Sequence, residues 1–169
     1  MKIQILGPSG SGKSYLGRKL SSITGIPVTD LDDLFWNNTL SDYEHRRSPQ
    51  ERDLLLQSIL LNDHWIIEGV YYKWLSIPLH TADYVFYMDT VYALQVIRII
   101  RRFFYRKIGL TRLKKNETLN GLSSLLKWNH SYNDELRCFV DRLSLERRVE
   151  FLRSKGDIRK LIRFWPNYT

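Results

Sequence analysis

The chain has 169 residues, 43% of them hydrophobic, so it is long enough for one sizeable core and too short for two domains of typical size. It has no apolar run long enough to span a membrane and no signal segment before its first strand, which predicts a soluble, cytoplasmic protein. Its net charge is +8, yet residues 1–90 carry 8 basic against 11 acidic side chains, and residues 91–169 carry 18 against 7. The second half is therefore expected to face something anionic, either nucleotide phosphates or nucleic acid.

Strand and helix patterns alternate along the chain, which predicts an α/β domain with a parallel sheet covered by helices on both faces. The predicted strands are residues 2–6, 27–30, 65–68, 84–89 and 149–152. The predicted helices are residues 13–24, 49–61, 91–107, 122–143 (as one or two helices) and 158–164. Ser48, Pro49 and Glu51 together predict a capping box at the start of the second of these helices. All residues from 1 to 169 are expected to form a single domain.

A complete phosphate-loop motif, G-x-x-x-x-G-K-[ST], occupies residues 7–14 between the first strand and the first helix. Glycines let such a loop turn tightly and aim backbone N–H groups at a triphosphate, and the following helix N-terminus adds positive partial charge. Lys13 is expected to bind the β- and γ-phosphates of ATP, and the Ser14 hydroxyl to ligate Mg²⁺. The predicted nucleotide-binding residues are Gly7, Pro8, Ser9, Gly10, Ser11, Gly12, Lys13, Ser14 and Tyr15.

Carboxylates follow the second and third strands at the sheet edge where ligands of parallel α/β proteins collect. Phosphoryl transfer needs Mg²⁺ beside the phosphates and a carboxylate that orients or deprotonates the acceptor hydroxyl. We assign Asp32 to the acceptor and Asp30 to the magnesium water shell. Glu68 is a second magnesium candidate, or an exposed charge at a strand end.

Two further acidic residues have alternative interpretations. As an alternative to a role in catalysis, one of Asp30, Asp32 and Asp33, with Asp33 the first choice, caps a short helix beginning at Leu34. Asp89 ends the fourth strand and precedes a helix, so an N-cap role and a metal role both stay open. The aromatic side chains around these acidic loops either stack on a planar substrate group or belong to the core: Phe35, Trp36, Tyr71, Tyr72 and Trp74.

Arg98, Arg102 and Arg106 are spaced by four and lie on one face of the helix predicted at residues 91–107. Planar guanidinium groups suit the oxygens of a phosphoryl group in transfer, so these arginines and Arg112 are predicted to neutralise that charge. A mobile lid around residues 102–120 is expected to close over the nucleotide. The alternatives are a solvated basic face or contacts to the phosphate backbone of nucleic acid.

Cysteine and histidine exclude several kinds of site. The only cysteine, Cys138, rules out an intrachain disulfide, and its apolar neighbours predict that it is buried. The four histidines are dispersed without ligand spacing, so a zinc site is not expected.

Taken together, the phosphate loop, residues 29–36 (T-D-L-D-D-L-F-W), residues 64–71 (H-W-I-I-E-G-V-Y), residues 84–89 and the arginine helix resemble the adenylate-kinase-like proteins called DNA topology modulation proteins. The resemblance implies a P-loop NTPase fold of the nucleoside monophosphate kinase type, with a five-stranded parallel sheet and the phosphate-loop strand at its centre. It also implies that Glu68 stands where such kinases place a magnesium-associated Asp. The Pro-Arg that follows in adenylate kinases is replaced by Val70-Tyr71, which argues against ordinary adenylate kinase specificity.

These observations predict an ATP- and Mg²⁺-dependent phosphotransferase acting on a small hydroxyl or nucleotide-like acceptor. The competing hypothesis is an NTP-binding regulator that associates with DNA through its basic C-terminal half.

Overall fold

Five parallel strands form the centre of the computed structural model, which describes residues 1–37, 46–110 and 118–165. The strands are β1 (Lys2–Leu6), β2 (Val28–Asp30), β3 (Trp65–Gly69), β4 (Tyr84–Met88) and β5 (Glu150–Leu152). Their order across the sheet is β2-β3-β1-β4-β5, so β1, which leads into the phosphate loop, is hydrogen-bonded on both sides. The predicted P-loop NTPase fold, with its five-stranded parallel sheet, is confirmed.

Helices cover both faces of this sheet. The described residues form α1 (Lys13–Thr24), α2 (Leu31–Phe35), α3 (Pro49–Leu60), α4 (Ser76–Thr81), α5 (Tyr92–Lys107), α6 (Leu119–Glu146) and α7 (Lys155–Phe164). Strand residues alternate between two cores: Ile3 and Ile5 pack with α1 and α7, whereas Leu6 packs with α3, α4 and α6. Strands buried on both faces read as nearly continuous apolar runs, which explains why they were detectable in the sequence.

The structure changes several local predictions. The helix predicted to begin at Leu34 begins at Leu31, and α4 lies in a stretch where no helix was predicted. Residues 122–143 belong to one helix of 28 residues, α6. Cys138 is exposed on α6, because the buried face of this helix carries Leu136 and Val140 instead. In the described part of the chain, no helix is both long and apolar enough to cross a membrane.

Candidate functional site

The phosphate loop joins β1 to α1 through two glycines in the left-handed region of backbone conformation. Gly10 has φ 76° and Gly12, the N-cap of α1, has φ 109°. A Cβ on Gly10 would lie 2.6 Å from the carbonyl oxygen of Gln95, so a side chain is excluded there by space as well as by backbone strain. At the start of α1 the Tyr15 N–H donates to the Gly12 carbonyl oxygen at 3.1 Å, whereas the N–H groups of Lys13 and Ser14 are the helix N-terminal donors suited to bind an anion.

The backbone of this loop forms hydrogen bonds with side chains from α5, from α6 and from the turn before α5. Arg98 donates to the carbonyl oxygens of Gly10 and Ser11 at 3.1 and 2.8 Å. The Thr90 hydroxyl also donates to Ser11, at 2.9 Å. Asn129 accepts a hydrogen bond of 2.9 Å from the backbone N–H of Ser9. The loop conformation is thus fixed by tertiary contacts as well as by its glycines.

Lys13 is buried in the loop, with 9% of its surface exposed, and its Nζ donates to the Pro8 carbonyl oxygen at 3.0 Å. Burial lowers the pKa of Lys13 below its ordinary value, and the carboxylates of Glu68, Asp32 and Asp30 oppose that shift. These three carboxylates therefore lie within electrostatic reach of the phosphate-loop lysine. Within the described residues, the Oγ of buried Ser11 has no hydrogen-bond partner, so the loop offers a further polar atom to a ligand.

Asp30 and Glu68 are neighbours across the β2–β3 pair, at the carboxyl end of the sheet. The Asp30 side chain caps α2 by accepting a 2.9 Å hydrogen bond from the Asp32 N–H. The cap is therefore Asp30, and the prediction that Asp33 serves as the cap is wrong because the helix starts three residues earlier. The chain turns into α2 directly after Asp30, so strand alternation does not relate the directions of Asp30 and Asp32.

Tyr71 connects the loop after β3 to Asp32. Its hydroxyl donates to Asp32 Oδ1 at 3.0 Å, and its ring stacks on Phe35 with the centroids 4.7 Å apart. Burial, followed by the Asp32 charge, raises the pKa of Tyr71, so the phenol stays a proton donor throughout the neutral range. Phe35, Trp36 and Tyr71 form an aromatic wall beside the Asp32 carboxylate.

One cleft contains the phosphate loop, the acidic residues and the arginines of α5. Its lining includes Lys13, Ser14, Asp30, Asp32, Glu68, Arg98, Arg101, Arg102 and Arg106, together with Arg153, Ser154 and Lys155 after β5. The Arg102 charge contributes to lowering the pKa of Lys13, which places it in range of the loop. Arg112 lies outside the described residues, as does part of the predicted lid, residues 111–117.

Asp89 is not the N-cap of α5, and its carboxylate is paired with two arginines. Its carboxylate accepts from Arg137 at 2.7 Å and from Arg153 at 3.1 Å. The N-cap of α5 is Val91, and no side chain caps that helix. Asp89 therefore joins α6 to the loop after β5.

The sequence analysis did not identify three residues that support the phosphate loop from positions far along the chain, namely Thr90, Gln95 and Asn129. Asn129 lies 120 positions from Ser9, and no local pattern signals a contact of that separation. Within the described residues, no three His, Cys, Asp or Glu side chains are grouped so that they could hold a metal ion by themselves. Magnesium sites that bind phosphates commonly use only one or two carboxylates plus water, and the residues present fit that kind of site.

No protein-family model matches the chain. A Bacillus subtilis (strain 168) protein, the uncharacterized YqaC, is 27% identical over 132 residues, which cover 78% of this chain and 72% of that protein. The structure is similar to shikimate kinase from Acinetobacter baumannii in complex with shikimate (TM-score 0.58, 18% identity, 99% and 91% of the two chains covered). It is also similar to deoxyadenosine kinase from M. mycoides with bound dATP (TM-score 0.60, 14% identity, 99% and 98% covered). These structural likenesses show the fold, whereas the resemblance to DNA topology modulation proteins is not confirmed.

Proposed function

We propose that this protein transfers the γ-phosphoryl group of ATP, in the presence of Mg²⁺, to a hydroxyl group of a small acceptor. The observation that carries the proposal is the closeness of a phosphate-loop lysine and a group of carboxylates in one cleft. Lys13 interacts electrostatically with Glu68, Asp32 and Asp30. A site that only binds nucleotide has no need of a carboxylate such as Asp32 on the acceptor side, whereas transfer to a hydroxyl does.

The nucleotide is assigned to the phosphate loop and the arginines of α5. The amides at the start of α1 and the Lys13 ammonium bind the β- and γ-phosphates. Arg102 and Arg106 line the same cleft, and with Arg112 they would neutralise charge on the transferred group. Arg98 acts on the loop itself, because its guanidinium binds the Gly10 and Ser11 carbonyl oxygens.

Mg²⁺ would supply charge neutralisation between the β- and γ-phosphates. Ser14 is the expected direct ligand, and Glu68 and Asp30 the residues that hold its water shell. Glu68 is buried, with 3% of its surface exposed. Its carboxylate therefore lacks bulk solvation, and a nearby cation would stabilise its negative charge.

Asp32 is assigned to the acceptor hydroxyl. A carboxylate that accepts a hydrogen bond from Tyr71 has a second oxygen with which to orient or accept a hydroxyl proton. Shikimate and the nucleosides implied by the structural neighbours carry hydroxyl groups, in agreement with this choice.

No described contact favours the alternative of DNA association. Arginines of the basic half are engaged within the molecule: Arg98 on the phosphate loop, Arg137 and Arg153 on Asp89, and Arg147 on the Leu79 and Ala82 carbonyl oxygens. Arg102 and Arg106 line the cleft. Internal contacts and the cleft thus account for six of the eighteen basic side chains in residues 91–169.

The proposal is tested by incubating the purified protein with Mg²⁺, ATP and pools of nucleosides, cyclic polyols and small alcohols. ADP release above the acceptor-free rate is measured, and the phosphorylated product is identified by mass spectrometry. Lys13→Met should abolish turnover, whereas Lys19→Met, an exposed lysine on the same helix, should leave it unchanged. Full turnover by Lys13→Met would refute the mechanism. Salt-sensitive DNA binding without acceptor turnover would favour the regulator instead.

A further inference from the structure

Three amide side chains, two of them buried, form a hydrogen-bonded cluster behind the phosphate loop. Gln95 of α5 is 1% exposed and Asn129 of α6 is fully buried. Gln95 Oε1 accepts from Asn129 at 2.9 Å and from Asn133 at 3.0 Å. Gln95 Nε2 donates to the Thr90 carbonyl oxygen at 2.6 Å and to Asn133 Oδ1 at 2.9 Å. Buried amides are costly unless paired, so this cluster has one favourable orientation.

The orientation of the cluster determines which atoms of the Asn129 side chain face the phosphate loop. Because its Nδ2 donates to Gln95, its Oδ1 faces Ser9 and accepts the Ser9 N–H at 2.9 Å. The same Nδ2 also lies 3.4 Å from the Ser9 carbonyl oxygen. Asn129 therefore binds both backbone polar groups of one phosphate-loop residue.

Tyr132 lies three residues further along α6, on the same side of the helix. Its hydroxyl donates to the Val70 carbonyl oxygen at 2.5 Å. The next residue, Tyr71, donates to Asp32. Stacking of the Tyr132 ring on Trp128, with the centroids 4.5 Å apart, fixes the side chain independently of its hydroxyl.

We propose that Asn129 and Tyr132 are positioning residues, through which α6 fixes the separation between the phosphate loop and the Asp32 carboxylate. This inference rests on the proposed function, since it assigns the two contacts to the donor and acceptor halves of one transfer reaction. Transfer requires reacting atoms about 3–3.5 Å apart, and a displacement of about 1 Å costs roughly a hundredfold in rate. One rigid helix that contacts both halves limits such displacements.

The donor half is tested with Asn129→Leu, which keeps the side-chain volume and removes both contacts to Ser9. The Kd for ADP, measured by calorimetry, should rise about tenfold, as for a lost buried hydrogen bond. Gln57→Leu, an exposed amide on α3, is the matched control and should bind ADP as the native chain does. An ADP Kd within twofold of the native value in a folded Asn129→Leu protein overturns this half.

The acceptor half is tested with Tyr132→Phe, which keeps the ring stacking. It should lower kcat/KM for the acceptor about tenfold and leave the ADP Kd unchanged. It should also speed hydrogen exchange in a peptide spanning residues 69–75, a readout that needs no acceptor. The control, Tyr92→Phe, removes a tyrosine hydrogen bond to the Leu126 carbonyl oxygen elsewhere on α6. Equal effects of the two variants would mean a general loss of stability and would overturn the proposal.

Exchange of the Ser9 amide in the native protein decides the donor half if Asn129→Leu does not fold. Without nucleotide, this amide should exchange as slowly as the amides of β1, and rapid exchange contradicts the inference. Native protein that fails to bind ADP contradicts the proposed function instead, while slow Ser9 exchange would still support the loop contact. The two failures are therefore distinguishable.

Discussion

The Arg98 guanidinium lies 2.8 Å from the Ser11 carbonyl oxygen, and the same nitrogen lies 3.1 Å from that of Gly10. Burial, followed by the nearby Arg101 charge, lowers the pKa of Arg98, yet an arginine stays charged at neutral pH. A cation that binds two loop carbonyl oxygens also adds positive potential behind the phosphate-binding amides. Arg98 thus supports nucleotide binding indirectly, through its contacts with the phosphate loop.

Arg98→Met is expected to weaken ADP binding about tenfold or more, since charge-assisted hydrogen bonds are the stronger class. Arg98→Lys should recover part of the affinity, because lysine keeps the positive charge but its nitrogen does not occupy the position from which Arg98 Nη1 reaches both carbonyl oxygens. Calorimetric titration with ADP measures both. The control is Arg148→Met, an exposed arginine paired with Glu150. Equal affinity of the Met variant and the native chain would show that the Arg98 contact does not support binding.

The local parts of the site were predictable because neighbouring residues determine them. The Gly10 and Gly12 turn, the start of α1 and the Ser48–Glu51 capping box depend on contacts within a few positions, and all three are found as predicted. The strands were predictable for a similar reason, since burial on both faces leaves an apolar run that a sequence displays directly.

The parts that failed depend on where an element begins or on contacts distant in sequence. Asp30, and not Asp33, caps α2 because the helix starts at Leu31. Several acidic residues lie close together here, so the sequence did not show which of them precedes the helix. Asp89 is of a residue type that often caps a helix, yet its carboxylate forms an ion pair with Arg137 from α6. The Asn129 contact joins residues 120 positions apart and left no local pattern.

Asp32→Asn is expected to lower kcat by about 10²–10⁴, the usual range for loss of a general base, with little change in the ADP Kd. Tyr71→Phe should lower kcat less, about tenfold, because it removes only the hydroxyl that orients Asp32. Initial rates at saturating ATP measure both. Asp53→Asn, an exposed carboxylate on α3, should retain the native rate. A large rise in the ADP Kd of Asp32→Asn would place Asp32 on the nucleotide side instead.

Lys13→Met should abolish turnover without lowering the thermal midpoint of the nucleotide-free protein. Burial lowers the pKa of Lys13 in the folded chain below its ordinary 10.5, so the charged lysine costs stability at neutral pH. This destabilisation decreases as the pH rises from the pKa of folded Lys13 towards 10.5, because in that range the unfolded chain binds more protons than the folded chain. The advantage of Lys13→Met should therefore shrink between pH 7 and pH 10.

Thermal scans across this range measure the difference, with Lys19→Met as the exposed control. A midpoint for Lys13→Met more than about 4 °C below the native value, equivalent to a loss of roughly 1 kcal/mol or more, would show that the lysine stabilises the empty loop.

A capping box at the start of α7 fixes a loop whose residues Arg153 and Ser154 line the cleft. Ser154 Oγ accepts from the Asp157 N–H at 3.1 Å, and Asp157 Oδ2 accepts from the N–H groups of Arg153 and Ser154, both at 2.9 Å. These backbone hydrogen bonds lower the pKa of Asp157 below its ordinary 3.8. The stabilisation is fully present above that ordinary value and is lost as the pH falls through the folded pKa.

Ser154→Ala is expected to lower the free energy of unfolding by about 1 kcal/mol at pH 7. Asp157→Ala should also destabilise at pH 7, and its difference from the native chain should shrink as the pH falls below 3.8, because the unfolded carboxyl then binds a proton that the folded one does not yet bind. Urea unfolding between pH 3 and pH 7 measures both, with Arg159→Ala, an exposed residue of α7, as the control. A difference for Asp157→Ala that stays constant down to pH 3 would mean that its charge plays no part in holding the Arg153–Ser154 loop against the cleft.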